Sequence, residues 1–485
     1  MTEKGKEEKG KVGFWGLTAI VFGMVVGSGI YNIPQNMAAG AGLGAVSLSW
    51  IITAVGMLLL VATFKTLADR RPDLSAGIYQ YAQAGYGNYM GFNMAWGYWL
   101  CTCFANIAYA VMLCESFGAF FPVMLGNGVA TVLFGSALIW MMLFIVSKGM
   151  RTAKYINAVL SVMKVAVIIV IIGLIAINVD LGMLTSDFWG RVVDTGGLTG
   201  QIKSTMLVTL WCFIGIEGAV MMSAHARRST DVGKAGVAGF FVAWLMYVLV
   251  SVLCFGVMSQ PELAGLGNPS TAYVLKSICG DWAYYFVIVA VIVSLLGGWV
   301  AWTIVCAQVP YEAAVVGVFP RSFLRTNSKG MPTFGLAVSS VVMQIFLVIV
   351  VTATDFYMAA LSITGMMILP AYLFSCLYLW KTTLHPEQLG LKRSRKNMRF
   401  RITGIASSAF CLWMIYAGGL TLLLLTSVFY LVGSVFFVKA RREICHNSSA
   451  GTEMLFTPVE WRLYLFIAVC SAVSLCLLAT GAVSI

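Results

Sequence analysis

The 485-residue sequence predicts an all-α polytopic membrane protein of twelve or thirteen spans, ten of them forming inverted five-helix repeats with broken helices 1 and 6. Three observations predict it. Hydrophobic residues make up 60% of the chain and charged residues only 10%, where a soluble domain carries about 25% charged residues. Apolar windows recur along the whole length, each close to the roughly 20 residues that cross a hydrocarbon core as a helix. Glycines interrupt the first and the sixth window, in "GMVVGSGIYNIP" and "FIGIEGA".

The windows fall near residues 14–34, 43–65, 89–121, 128–147, 155–178, 204–224, 235–258, 283–308, 335–353, 357–380, 402–418, 420–438 and 463–484. Only "AGGL" at 417–420 separates the eleventh from the twelfth. The third window is longer than the bilayer is thick, so its helix should tilt or project. The expected organisation is a cytoplasmic tail at 1–13, a first repeat at 14–178, a second at 204–380, and a basic loop with additional helices at 381–485. The longest polar stretches, 381–401 and 439–461, are too short for a separate core.

Charge fixes an orientation. With the N-terminus inside, 27 of the 31 Lys and Arg residues lie on cytoplasmic segments, including "LKRSRKNMRFR" between the tenth and eleventh spans. That asymmetry is the positive-inside pattern. It also explains the net charge of +12 without nucleic acid. The mixed-charge start "MTEKGKEEKGK" has no apolar core and cleavage site behind it, so it does not read as a signal peptide.

The twelve cysteines lie mostly inside spans, and no C-x-x-C pair suggests a metal site, so they read as reduced packing residues. His225, His385 and His446 fall in or beside loops, and no Asp lies mid-span. An intramembrane enzyme would need paired acids, a Ser/His dyad or a metal set within the spans. Neither an enzyme nor a cofactor is expected.

The first span carries Gly23, Gly27, Ser28 and Gly29 followed by Pro34, and the sixth carries Gly215 and Gly218 around Glu217. Glycine weakens a helix, and freed backbone groups are tolerated in lipid only where protein buries them or they line a cavity. Span one enters from the cytoplasm and span six, five crossings later, from outside. Paired breaks in units of opposite orientation point to a secondary transporter, with its site where the breaks meet.

At these residues the sequence resembles the basic amino acid/polyamine antiporters of the amino acid–polyamine–cation superfamily. The resemblance covers about residues 12–380. It rests on "GSGIYNIPQNMA" (27–38), "TLWCFIGIEGA" (209–219) and "SLLGGWVAW" (294–302), with "RSTDVGKA" and "LSITGMMILPAY" closest to arginine/ornithine exchangers. The arginine/agmatine exchangers are close behind.

The resemblance implies alternating access and exchange of arginine for ornithine or agmatine across a bacterial inner membrane. It implies that Gly27, Ser28 and Gly29 hold the substrate carboxylate, that Trp211 gates the site, and that Trp299 stacks on the guanidinium. Asn106 and Tyr98 would contact or shape the pocket, and Tyr79 would be a distal gate bonded to Glu217. Cys212 stands where the arginine/agmatine exchangers have serine and Tyr109 where they have methionine. After Pro370 the order Ala371-Tyr372 departs from the family's tenth-helix gate tyrosine, and a thirteenth span exceeds the usual twelve. A homodimer is left open.

The residues themselves suit that chemistry. Amides at a half-helix N-terminus hold a carboxylate without a fixed cation. Aromatic faces attract a cationic tail for about 0.5–2 kcal/mol; Trp211, Trp299, Tyr98 and Tyr109 are the candidates. Tyr98, Thr102, Ala105, Asn106 and Tyr109 share one face of a helix. Glu217 is an acid at a depth where acids face a cavity or a partner. Lys164, mid-way along the fifth span, occupies the region where sodium-coupled members of the superfamily bind a cation, so a fixed ammonium there would make sodium unnecessary. A proton-coupled permease without obligatory exchange is the alternative.

Overall fold

The computed structural model describes residues 13–27, 29–74, 76–191, 197–217, 229–351, 356–384, 386, 396–447 and 455–480. Regular structure among the described residues is helical: α1 (Phe14–Val25), α2 (Gly29–Ala38), α3 (Leu43–Arg70), α4 (Ile78–Tyr86), α5 (Asn88–Phe117), α6 (Gly128–Ser147), α7 (Met150–Ala176), α8 (Leu181–Ser186), α9 (Gly197–Trp211), α10 (Ser229–Cys254), α11 (Gln260–Ala264), α12 (Ser270–Cys279), α13 (Asp281–Val315), α14 (Thr333–Val350), α15 (Phe356–Leu384), α16 (Lys396–Gly418), α17 (Leu420–Asn447) and α18 (Pro458–Ala479). Ten of these are long and apolar enough to cross a membrane, namely α3, α5, α6, α10 and α13 to α18. The other three windows hold the α1/α2 pair, α7 with its shorter apolar stretch Val162–Ala176, and α9.

Local chemistry sets the element ends. Asn127 caps α6 by accepting from the amides of Val129 and Ala130 at 3.1 Å, which satisfies donors a helix start leaves free. α18 opens on Pro458 with a reciprocal Thr457/Glu460 capping box. The narrow boundary at "AGGL" is real: α16 stops at Gly418 and α17 starts at Leu420, across Gly419 at φ +93°.

The two repeats show themselves in matching parts. A short helix precedes the third span of the first unit (α4 before α5) and the third span of the second unit (α12 before α13). Each pair is divided by one glycine that serves as C-cap and N-cap at once. Gly87 has φ 97° and ψ 172°; Gly280 has φ 85° and ψ −171°. Both values lie where L side chains are strained. α4 packs against α5 and α15, the third and tenth spans; α12 packs against α13 and α7, the eighth and fifth. The correspondence is that of two like units facing opposite ways.

α5 and α13 are the axle. They rise about 45 and 52 Å at helical pitch, longer than a roughly 30 Å hydrocarbon core, and they pack on each other. In the most apolar window of α5, 89% of residues are buried, against 11% in α18. α18 is therefore peripheral, yet it is fastened: Glu460 Oε1 accepts the Tyr89 amide at 2.9 Å, at the start of α5.

Candidate functional site

α1 ends at Val25, and the last N–H of its α pattern runs from Val26 to the Phe22 carbonyl at 2.8 Å. Past that point its carbonyls have no helical donors. Side chains from two other spans supply them. Lys164 of α7 is buried and its Nζ donates to the carbonyls of Gly23, at 3.2 Å, and Val26. Tyr247 of α10 donates its hydroxyl to the Val25 carbonyl at 3.0 Å. An ammonium at a helix C-terminus also meets the negative end of the helix dipole. α2 begins two residues beyond Gly27, at Gly29, so its free amides start inside the protein.

The second break follows α9. After Trp211 the pattern tightens into turns, with Phe213 donating to Leu210 at 2.9 Å and Ile216 to Phe213 at 3.2 Å. Gly215 adopts φ +107°, a conformation that suits glycine. Its amide donates to Glu217 Oε2 at 3.1 Å. The same oxygen accepts the Tyr372 hydroxyl at 2.6 Å, and Oε1 accepts the Tyr98 hydroxyl at 2.8 Å. Glu217 is completely buried, and three donors on its carboxylate are what make that burial tolerable.

The breaks meet at a cavity walled by Met24, Val25, Gly27, Gly29, Ala105, Tyr109, Trp211, Ile214, Tyr247 and Trp302. Its contacts are tight. A Cβ on Gly29 would lie 2.9 Å from Trp211 Cδ1, and one on Gly27 would lie 2.6 Å from the Tyr109 hydroxyl. The backbone can approach the rings only because both positions are glycine. The cavity volume is about 20 Å³, room for about one water. In this conformation Trp211 is part of the wall between the breaks.

Of the residues singled out in the sequence, Gly27, Gly29, Tyr109 and Trp211 are together in this wall, with Cys212 Sγ 3.6 Å from where a Gly29 Cβ would stand. Asn106 is buried beside it on α5, donating to the Thr102 carbonyl at 2.9 Å while its Oδ1 has no partner. Ser28 and Gly218 lie outside the described residues, as do His225 and His385.

One expectation needs correction. Tyr79 was expected to bond Glu217; it is fully buried in α4, but its hydroxyl is unpartnered. Tyr98 and Tyr372 occupy the carboxylate oxygens instead, because α5 and α15 pack at the break and α4 is a separate short helix. The α13 indole in the wall of this cavity is Trp302, one turn beyond Trp299. Trp299 is buried with its indole N–H unpartnered.

Tyr247, Trp302 and Tyr372 were missed. The first two sit in runs where aromatic residues are common for packing alone. Tyr372 gave a signal, a tyrosine two residues past a mid-span proline, but not its direction.

The protein is similar to the arginine/agmatine antiporter of Chlamydia abortus, 42% identical over 450 residues, covering 91% of this chain and 92% of that one. It is similar to the arginine/ornithine antiporter of Pseudomonas aeruginosa, 40% identical with 93% and 95% covered. A putative amino-acid transporter of Clostridium perfringens is 40% identical with 93% and 94% covered. The crystal structure of MhsT in complex with L-phenylalanine shares the fold, with a TM-score of 0.54 at 13% identity over 83% of this chain and 98% of that one. The amino acid permease family model matches residues 12–444, across both breaks and the ten helices of the two repeats, and the chain belongs to the amino acid permease family.

Proposed function

We propose that the protein exchanges a cationic amino acid, arginine, for ornithine or agmatine by alternating access, across a bacterial inner membrane with its N-terminus in the cytoplasm. The observation that carries the reading is the meeting of two interrupted helices, with the amino end of α2 and the indole of Trp211 facing one small cavity. Relatives at 40–42% identity are named for this exchange.

The roles follow from chemistry. The substrate carboxylate binds amides around Gly27, Ser28 and Gly29 at the positive end of α2. Trp211 leaves the cavity to admit it and closes over its aliphatic part. The cationic tail lies among Tyr109, Trp302 and Asn106, whose free Oδ1 accepts a guanidinium or ammonium proton; Trp299 stacks on it once the site opens, and Cys212 tunes the fit. Glu217 with Tyr98 and Tyr372 is the fastening of the second break. Lys164 stands in for a bound cation at the first break, so no sodium is required. The substrates and the lipid bilayer are the only partners this reading needs.

The test is a trans-stimulation panel: purified protein in liposomes loaded with ornithine, agmatine, putrescine, cadaverine or nothing, given labelled arginine. Uptake that requires internal ornithine or agmatine supports exchange. Glu217, a buried carboxylate that a proton can neutralise, favours a second reading as a proton-coupled permease; uptake into empty liposomes driven by a pH gradient would establish that one. A flux stoichiometric in sodium would remove the role given to Lys164.

A further inference from the structure

A second, larger space lies away from the breaks. Between α5, α15, α17 and α18 runs a groove of about 370 Å³. Its walls include Met94, Pro370, Phe374, Leu424 and Phe466, and almost every lining group is apolar. It opens outward, since Leu420 and Phe466 on its rim are 62% and 65% exposed. Water does not fill an apolar space of this kind, and lipid tails are what the outer faces of these spans meet.

The hydroxyls of Ser427 and Tyr430 in the groove wall donate to the carbonyls of Leu424 and Met367, but one polar atom there is unpaired. Asn93 lines the groove at 2% exposure. Its Nδ2 donates to the Tyr89 carbonyl at 2.7 Å, and its Oδ1 has no partner. It stands five residues into α5, about 7 Å from the helix start, within reach of a lipid headgroup. A dry, unpaired acceptor is costly.

We propose that this groove binds one membrane phospholipid, its acyl chain along the apolar walls and a hydrogen-bond donor of its headgroup on Asn93 Oδ1. A second copy of the chain fits less well: the flat apolar face of another helix would bridge the groove and leave Asn93 unpaired.

The site has a consequence for transport because of what α15 carries. Pro370 and Phe374 face the groove, and Tyr372 between them donates to Glu217 at the second break. Pro370 removes one backbone hydrogen bond inside α15 and weakens the helix there. An acyl chain packed behind this segment presses Tyr372 towards Glu217, so the lipid sets how readily the fastening opens.

The experiment uses the full chain in vesicles of phosphatidylethanolamine, whose headgroup donates, or phosphatidylcholine with the same acyl chains, whose headgroup does not. Native mass spectrometry should find one phosphatidylethanolamine retained per chain, and exchange should run about fivefold faster in that lipid. Asn93→Leu should erase the headgroup preference while keeping the chain folded and transporting. Leu424→Trp, which fills the groove, should expel the lipid and reduce exchange in both vesicle types. No retained phospholipid on the wild type, an unchanged preference in Asn93→Leu, or a groove covered by a second copy would overturn the proposal. Since none of these readouts asks which amine is exchanged, the result is separate from that of the trans-stimulation panel.

Discussion

The two helix breaks solve one problem by opposite means. At the first, bare carbonyls of α1 are met from outside by the Lys164 ammonium and the Tyr247 hydroxyl. At the second, the chain supplies its own charge, Glu217, and other helices bring neutral phenols to it. In both units the fifth span holds the broken first span: α7 does so through Lys164, and α15 through Tyr372. The symmetry lies in position; the chemistry has diverged. A fixed ammonium among carbonyls suits a joint that stays made. A carboxylate between hydroxyls is easily remade, which suits a joint that opens in each cycle.

Substitutions can break that contrast, beginning with the largest effect. Lys164→Met strands the Gly23 and Val26 carbonyls, and hydrogen bonds to charged groups are worth about 1.5–3 kcal/mol. Labelled-arginine exchange should fall about a hundredfold, with a lower melting temperature; wild-type exchange would mean that the first break needs no cation.

Glu217→Gln keeps the shape but turns one acceptor into a donor facing a phenol or the Gly215 amide. About a tenfold loss of exchange with little change in melting is expected if this joint opens in turnover as proposed. Tyr98→Phe and Tyr372→Phe each remove one donor from the same carboxylate, and each should cost about threefold to tenfold. Their combined effect should depart from additivity by more than 0.5 kcal/mol, because neighbours sharing a partner couple; strict additivity in a double-mutant cycle would show that they act apart. Tyr247→Phe should be mildest, about threefold in exchange, because the Lys164 ammonium still holds neighbouring carbonyls.

Much of this was legible in the sequence, for physical reasons that can be named. Spans are legible because a bilayer demands length and apolarity together, and every window carries a helix. The breaks are legible because glycine clusters and a carboxylate are expensive in lipid. Gly27, Gly29, Tyr109 and Trp211 fall into one cavity wall because their helices had to meet there. What stayed hidden depends on helix phase. Trp299 and Trp302 differ by one turn, and sequence alone does not say which faces the cavity. Tyr372 sits two residues beyond Pro370, which removes one backbone hydrogen bond from the helix, and the apolar pattern around it does not say which way its ring points. α4 and α12 are nine and ten residues long, below the length at which apolar periodicity stands out, so the matched glycines at 87 and 280 gave no warning.

Those two glycines have a practical meaning. Each is a sharp corner at the entrance to one of the two central columns, and the corners lie at opposite ends of the molecule. Alanine at either would strain the backbone at one end of the molecule and leave the other end as it is. A duplicated, upside-down architecture thus provides paired handles, one at each mouth of the same machine.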